Sequence, residues 1–159
     1  MSQPLFEKVA FIGLGLIGSS LARVIAAENL AKQVVASTRS QKTLEDAKAL
    51  GLIQQGYSNP AEAVQGADLV VLALPVRATQ KVLEIIKPYL AEHAILTDVG
   101  STKGNVVDAA KSAGISYIAY TSFPQAERAT SDLAADHIYT EKAIEKSGIA
   151  HTFLRNNWY

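Results

Sequence analysis

Short apolar runs alternate with segments of helical periodicity along the whole chain. Seven runs have the character of strands: KVAFIGL, QVVAST, a short one near QGYS, DLVVLAL, AILTDV, ISYIAYTS and AHTFLRN. DLVVLAL is apolar throughout, as expected of a strand buried on both faces of a sheet. Between the runs lie predicted helices. In the first of these, LIGSSLARVIAAENL, the large apolar residues share one face at helical spacing: Leu16, Leu21, Val24 and Ile25.

The helix boundaries carry recurring signals. AKALGLI, AKSAGIS and IEKSGIA each end a predicted helix with a glycine followed by leucine or isoleucine, which is typical of a left-handed cap leading into a strand. In NPAEAV, Asn59 is the predicted N-cap and Pro60 lies in the first turn. The alternation predicts an α/β fold: one doubly wound parallel sheet of about seven strands, ordered 3-2-1-4-5-6-7. With no linker or low-complexity segment, residues 1–159 are expected to form a single Rossmann-like domain.

Composition excludes several classes of protein. The 159 residues are 48% apolar and 19% charged, as in a globular domain. The 15 basic and 15 acidic side chains are spread along the chain, so a nucleic-acid partner is not expected. No cysteine is present, which excludes disulfides and thiolate chemistry. MSQPLFEK lacks a signal-peptide core and no apolar run approaches ~18 residues, so we expect a cytoplasmic protein without a membrane partner. We further expect the protein to be monomeric or a weak homodimer.

The first strand ends in a glycine-rich loop. VAFIGLGLIGSS carries Gly13, Gly15 and Gly18 in the G-x-G-x-x-G spacing, after an apolar strand and at the start of a helix. The first glycine permits a tight turn, the second lets the backbone approach a pyrophosphate, and the third lets the helix pack on the strand. Leu16 and Ile17 belong to the same predicted contact, where the helix N-terminus offers free N–H groups. The alternative is an ordinary strand-to-helix turn.

The end of the second strand indicates the type of dinucleotide. NAD sites usually place Asp or Glu there, ~20 residues past the glycines. This chain has Thr38, Arg39 and Ser40 instead, with Lys42 close behind. Arg39 would stack on adenine and pair with a 2′-phosphate, while the two hydroxyls would donate hydrogen bonds. We therefore predict NADP as the preferred cofactor, with NAD possible; the alternative is that Arg39 is a solvated surface charge.

Residues 8–109 resemble the cofactor domain of the prephenate/arogenate dehydrogenases. The resemblance rests on VAFIGLGLIGSSLA, ADLVVLALPV and ILTDVGSTKG. It implies that two loops border the nicotinamide half of the cofactor, here Leu74-Pro75-Val76 and Val99-Gly100-Ser101. It also implies that Ser101 would assist a catalytic histidine in a GHPIAG-like loop after the next strand.

That histidine loop is missing, because the next strand reads SYIAYTSFPQAERA. Residues 105–159 instead resemble the NmrA-like atypical short-chain reductases, especially NADPH-dependent quinone oxidoreductases of the second type, through NVVDAAKSAGISYIAYTS and LAADHIYTEKAIEKSGIAHTFLRNNWY. The helix NVVDAAKSAG fits both families. The two resemblances favour a chimera, engineered rather than naturally recombined, with its seam near residues 103–114.

The chimera interpretation implies an incomplete catalytic site. The dehydrogenase part would lack its histidine and helical domain, and the reductase part would lack its own phosphate loop and substrate-covering region. Three hypotheses follow: a dinucleotide-binding domain without a defined reaction, a slow NADPH-dependent quinone or dye reductase, and a folded domain that binds no ligand. Hydride chemistry belongs to the cofactor, so the second hypothesis requires little beyond binding.

Other candidate residues have competing interpretations. Ser101 and Lys103 follow a strand end where α/β sheets bind ligands, but Ser101 or Thr102 would equally serve as a helix cap. Tyr139 and Lys142 suggest the tyrosine–lysine pair of short-chain dehydrogenases, yet their spacing is one residue shorter than Tyr-x-x-x-Lys. We assign no catalytic residue here.

The C-terminal polar residues are interpreted as structural. His137 and Glu141 have i,i+4 spacing, but a zinc site needs at least one further ligand, so no metal is predicted. His137 is expected to hydrogen-bond neighbouring polar groups. In LRNNWY, Trp158 and Tyr159 are expected to cover the sheet edge or to fray rather than to bind substrate.

Overall fold

The structure is a computed structural model that describes residues 3–99, 104–112, 114–122 and 132–155. Strands and helices alternate along it. The strands are β1 (Phe6–Ile12), β2 (Ala31–Ser37), β3 (Gln55–Tyr57), β4 (Leu69–Leu72), β5 (Ile95–Asp98), β6 (Tyr117–Ser122) and β7 (Ala150–Arg155). The helices are α1 (Leu16–Ala27), α2 (Gln41–Ala49), α3 (Pro60–Val64), α4 (Val76–Ile86) with a following 3-10 turn (Lys87–Tyr89), α5 (Gly104–Ser112) and α6 (Asp132–Ser147).

The strands form one parallel sheet in the order β3-β2-β1-β4-β5-β6-β7, which confirms the predicted topology. Strands β2 and β3 are added on one side of β1, and strands β4 to β7 are added on its other side. The carboxyl end of β1 is therefore the switch point where α/β sheets bind ligands. Ile12 lies opposite Ser37 of β2 and opposite Leu72 of β4. The three central strands therefore end at one level and present their following loops to the same space.

Both faces of the central strands are buried. In β1, Val9 and Phe11 belong to the apolar cluster under α1 and α2, while Ala10 and Ile12 belong to the cluster under α3, α4 and α5. All four side chains are at most 2% exposed. This alternation places successive residues on opposite faces of the sheet, so a continuous apolar run is what a doubly covered strand requires.

The predicted helix boundaries are confirmed. The Asn59 side chain accepts a hydrogen bond from the backbone N–H of Ala61 at 3.0 Å and caps α3. The glycines that follow α2, α5 and α6 all have positive φ, at 68°, 72° and 74°: Gly51, Gly114 and Gly148. Each therefore provides the left-handed conformation that ends a helix without a Cβ penalty.

The large apolar residues that share one face of α1 are not the ones buried most deeply, although Ile25 packs against the core. Leu16 is 92% exposed and Val24 is 53% exposed, whereas the residues buried against the sheet are Gly18 and Ala22. The helix begins directly at the glycine loop and must lie close to the strands. Small side chains permit that approach, and the larger ones are displaced to the outer surface.

A carboxylate fastens the amino end of the sheet. Asp68, just before β4, accepts hydrogen bonds from the backbone N–H groups of Glu7 at 2.6 Å and Lys8 at 2.9 Å. His93 Nε2 lies 3.2 Å from the other carboxylate oxygen. The hydrogen bond from Lys8, with smaller contributions from Glu7 and His93, holds the pKa of Asp68 below its usual value. Asp68 thus ties β1 to β4 at the edge opposite the switch point.

A small apolar void lies between the sheet and helices α5 and α6. Its volume is 30 Å³, and its walls include Leu96, Val107, Ala110 and Ile144. The volume is about that of one water molecule or methyl group. The packing around α5 is therefore slightly loose.

Candidate functional site

The carboxyl ends of the central strands open into a cavity of 610 Å³. Its floor is the loop after β1, its sides are the segments that follow β2 and β4, and one wall is a face of α4. The volume falls in the range of about 300–1,000 Å³ that is usual for small-molecule and cofactor sites. The cavity lies at the switch point predicted from the strand order.

The three glycines of the loop have different steric environments. At Gly13, where φ is +98°, an added Cβ would lie 2.3 Å from the carbonyl oxygen of Ala73. At Gly18 it would lie 2.6 Å from the carbonyl oxygen of Gly13. At Gly15 nothing lies within 4 Å of the added atom, although this residue lines the cavity. Gly13 and Gly18 are therefore required by the fold itself, while Gly15 leaves space on the side where a ligand would lie.

The loop is fastened to both neighbouring strands. The backbone N–H of Gly13 donates to Ser37 O at 2.8 Å, and that of Ala73 donates to Ile12 O at 2.8 Å. The Ser19 hydroxyl donates to Leu14 O at 3.1 Å. Sheet-type hydrogen bonds thus continue past the last residue of β1 and hold the loop in place.

The predicted residues after β2 divide into two groups. Thr38 and Arg39 line the cavity, and their contact with a cofactor stays a prediction. Ser40 does not line it; its hydroxyl oxygen accepts a hydrogen bond from the backbone N–H of Thr43 at 3.2 Å and caps α2. Lys42 pairs with Asp46 one turn along α2, at 2.8 Å, and is absent from the cavity wall.

The other predicted residues are also distributed unevenly. Leu74 and Pro75 line the cavity on the β4 side, and Val76 is the first residue of α4. Leu16 and Ile17 lie beside the loop with exposed side chains and do not form part of the wall. Gly100 and Ser101 lie outside the described residues, and their assignment to the nicotinamide half stays a prediction.

The structure adds cavity residues that the sequence interpretation missed. Arg77 and Lys81 of α4 line it together with Thr43 and Ser58. Arg77 and Lys81 are four residues apart and therefore share a helix face. The sequence does contain a signal that would have identified Arg77 and Lys81. They are two basic residues one turn apart, at the start of the helix that follows the fourth strand.

A second polar cluster joins β6, α6 and β7 away from the cavity. The Tyr120 hydroxyl and His137 Nδ1 are 2.6 Å apart, as expected of a structural histidine. Arg155 donates two hydrogen bonds to Glu141, at 3.1 and 2.8 Å. Burial raises the pKa of Tyr120 to about 12. Burial alone would raise the pKa of Glu141 as well, but the hydrogen bonds and charge of Arg155 outweigh it and lower that pKa.

The remaining candidates show no built site. Tyr139 is 68% exposed on α6, and Lys142 is exposed on the same helix. Among the residues described, no three His, Cys, Asp or Glu side chains are grouped so that they could hold a metal ion. Within the same ranges, no helix combines the length and apolar character needed to cross a bilayer.

Comparison with known proteins agrees with this geometry. The family model of the nucleotide-binding domain of prephenate dehydrogenase matches residues 21–135. Cyclohexadienyl dehydrogenase of Zymomonas mobilis is 33% identical over 149 residues, which cover 92% of this chain and 51% of that protein. Quinone oxidoreductase 2 of Escherichia coli is 36% identical over 132 residues, covering 83% of this chain and 43% of that protein. The chain thus spans about half the length of these relatives, and the resemblance to both families is confirmed.

Solved structures show the same fold. Prephenate dehydrogenase from A. aeolicus, in complex with hydroxyphenyl propionate and NAD+, superposes with a TM-score of 0.64 at 18% identity, over 98% of this chain and 61% of that one. An NADPH-dependent quinone oxidoreductase from Escherichia coli superposes with a TM-score of 0.54 at 28% identity, over 95% of this chain and 48% of that one.

Proposed function

Since this chain belongs to the family of prephenate dehydrogenase nucleotide-binding domains, we propose that it binds a nicotinamide dinucleotide along the carboxyl edge of its sheet, with NADP preferred over NAD. The pyrophosphate lies on the loop from Gly13 to Gly18, and the adenosine ribose lies beside Thr38 and Arg39. The observation that carries this proposal is the open space at Gly15, next to a cavity of sufficient volume. A pyrophosphate that accepts hydrogen bonds from the backbone N–H groups of this loop needs that space.

The preference for NADP rests on charge. The cavity wall includes Arg39 and no aspartate or glutamate from the described ranges. A carboxylate at the end of β2 would accept hydrogen bonds from the ribose hydroxyls of NAD and repel a 2′-phosphate. Arg39 provides the opposite charge. The solved relatives include one in complex with NAD+ and one described as NADPH-dependent, so the preference has to be measured on this chain.

Calorimetric titration with NADPH and NADH tests the proposal. We expect binding of both, with NADPH tighter. Gly15→Ala is the matched variant, because its added methyl group meets no protein atom within 4 Å and occupies space that the ligand needs. Loss of affinity in a folded Gly15→Ala protein supports the placement. Absence of binding at millimolar nucleotide contradicts the proposed function, and NADH binding about tenfold tighter than NADPH contradicts the preference alone.

We propose no reaction for the domain by itself. The described cavity wall has no His, Cys, Asp, Glu or Tyr, and Lys81 is the one side chain in it of a type that acts as a general acid or base. This supports the hypothesis of a binding domain without a complete catalytic site. Any activity would depend on the cofactor, which supplies the hydride when bound.

Quinone reduction is the second candidate, favoured by the 36% identity to quinone oxidoreductase 2. NADPH would transfer a hydride to the quinone, and a solvent proton would complete the hydroquinone, leaving NADP+. Consumption of NADPH with menadione, compared between the natural chain and Gly15→Ala, measures this. Equal rates in both proteins would assign the reaction to solution chemistry rather than to the cavity.

We also propose that the chain is a single domain, monomeric or a weak homodimer, and that it is an engineered chimera of the two families with its seam near residues 103–114. Helix α5 packs between α4 and α6 and thus joins the two parts. Both matches run across this segment, because 132 aligned residues must begin before residue 103 and the family model reaches residue 135, so the matches themselves do not mark the seam. A single unfolding transition, seen alike by circular dichroism and intrinsic fluorescence, supports one domain. Two separate transitions contradict it, and sedimentation measures the oligomeric state.

A further inference from the structure

Three cationic side chains converge on the cavity from two sides. Arg39 follows β2, whereas Arg77 and Lys81 lie on α4, which follows β4. Because β2 and β4 flank β1, the two groups stand on opposite sides of the glycine loop. The wall has no described acidic residue to neutralise them.

These cations are unpaired in the part of the chain that the structure describes. None of the three forms an ion pair there. Some other basic side chains in the described ranges have carboxylate partners, such as Lys32 with Glu7, and others, such as Lys142, form no ion pair; what distinguishes the three cations is that they line one cavity. Unpaired cations that face one concave space repel one another and favour an anionic occupant.

The α4 wall combines charge with an apolar strip. Ala78, Val82 and Ile85 line the cavity beside Arg77 and Lys81. These positions recur at helical spacing, so one face of α4 is turned toward the cavity. An apolar strip flanked by two cations complements a planar base that carries a nearby phosphate.

We propose that Arg77 and Lys81 are specificity-determining residues, which together with Arg39 form a two-sided clamp for a nucleotide bearing a phosphate monoester on its adenosine ribose. The inference rests on the proposed dinucleotide function and adds the side chains that read the extra phosphate. A monoester carries a charge of about −1.5 to −2 at neutral pH. Arg39 supplies one positive charge, so at least one further cation is needed to balance the monoester, and the α4 pair provides it.

The test uses two probes that occupy only the adenosine end. Adenosine 2′,5′-bisphosphate carries the monoester, and 5′-AMP lacks it. Calorimetric titrations are made with the natural chain, Arg77→Ala, Lys81→Ala and the double variant. Lys142→Ala, which removes an equal charge from an exposed position on α6, is the matched control. Thermal denaturation by circular dichroism verifies that each variant is folded.

The expected result is selective loss. Each single variant should weaken the bisphosphate about tenfold and leave 5′-AMP within about twofold, while Lys142→Ala changes neither. The affinity for the bisphosphate should also fall more steeply with salt than that for 5′-AMP, and this difference should diminish in the double variant. Lys81→Arg, which keeps the charge, should retain most of the affinity.

Two results would overturn the inference, and they differ from failure of the proposed function. If the α4 variants weaken both probes equally, the two cations contact the base or the 5′-phosphate and do not read the monoester. If the natural chain binds both probes with equal affinity, the clamp does not exist although nucleotide binding stands. If the natural chain binds neither probe nor NADPH, the proposed function itself fails and the clamp fails with it.

Discussion

The Cβ that Gly18 lacks would lie 2.6 Å from the carbonyl oxygen of Gly13. Real Cβ atoms do not approach a backbone oxygen so closely, and the next neighbour, Ala73 Cβ, is 3.0 Å away. The first turn of α1 therefore rests directly on the loop that precedes it. A side chain at position 18 would have to separate the helix from the strand.

Gly18→Ala should destabilise the fold. Forcing a methyl group against backbone costs about 1–3 kcal/mol in a well-packed site. Gly15→Ala, three residues away, meets no atom within 4 Å and should cost less than about 1 kcal/mol, as expected for an N-cap position. Urea denaturation of the two variants makes the comparison. Similar losses in both would show that the loop is not packed as described.

Asp68→Asn should remove a pH-dependent contribution to stability. The folded-state pKa of Asp68 is lowered, mainly by the hydrogen bond from the Lys8 N–H. The unfolded chain therefore takes up the proton first as the pH falls. The contribution is complete above the unfolded pKa of about 4 and is lost as the pH falls through the folded pKa.

At neutral pH we expect Asp68→Asn to cost about 1 kcal/mol, because one charged acceptor of two backbone N–H groups is replaced by a neutral amide. The difference in the free energy of unfolding between the variant and the unsubstituted protein should become smaller as the pH falls below 4. Urea denaturation at several pH values measures this difference. Asp46→Asn is the control: its partner is the exposed Lys42, and because solvent screens such an i,i+4 pair, its loss should cost less than the loss of the Asp68 carboxylate. A pH-independent difference at position 68 would contradict the prediction.

Arg155→Ala should destabilise more than the loss of an exposed ion pair. The Glu141 side chain is only 10% exposed and accepts both hydrogen bonds from Arg155, whose own side chain is 45% exposed. Removing the arginine leaves a largely buried carboxylate, and we expect a cost of about 2 kcal/mol after allowing for solvent at the arginine.

A double-mutant cycle separates this pair from its surroundings. Combining Arg155→Ala with Glu141→Gln removes both charges, so the double variant should lose less than the sum of the two single losses. Denaturant titration of the four proteins provides the coupling energy. Strict additivity would show that the two side chains do not interact in solution.

Val107→Ile should stabilise the domain. The void of 30 Å³ beside Val107 is lined mainly by apolar residues, and one added methylene occupies about that volume. Burying it contributes about 0.8 kcal/mol, which corresponds to a rise in Tm of about 2–4 °C in a domain of this size. Val107→Ala, which enlarges the void, is the opposite control. A lowered Tm for Val107→Ile would mean that the void is too narrow to receive the group.

The topology was predictable because each element carries its own signal. The buried strands are continuously apolar, and Gly51, Gly114 and Gly148 mark the helix ends with the positive φ that the sequence suggested. These signals depend on local chemistry, which a sequence displays directly. The strand order then follows from rules on crossover handedness and on the position of the glycine loop.

The surface of the helices was harder to predict. Apolar periodicity places Leu16 and Val24 on one face of α1, but the close approach of the helix to the sheet selects Gly18 and Ala22 as its buried residues. Arg77 and Lys81 resemble ordinary solvated positions of an amphipathic helix in the sequence. Only the packing of α4 beside the strand ends turns them toward the cavity.

The sheet hydrogen bonds that continue beyond Ile12 affect the thermodynamics of nucleotide binding. A phosphate-binding loop that is anchored through Gly13 to Ser37, and through Ile12 to Ala73, loses little conformational entropy when a nucleotide arrives. Docking then resembles insertion into a rigid receptor, with a heat-capacity change that reflects desolvation rather than coupled folding. The affinity for the nucleotide should therefore fall gradually with temperature up to the unfolding transition. At that transition the domain unfolds cooperatively, and binding should be lost together with the sheet.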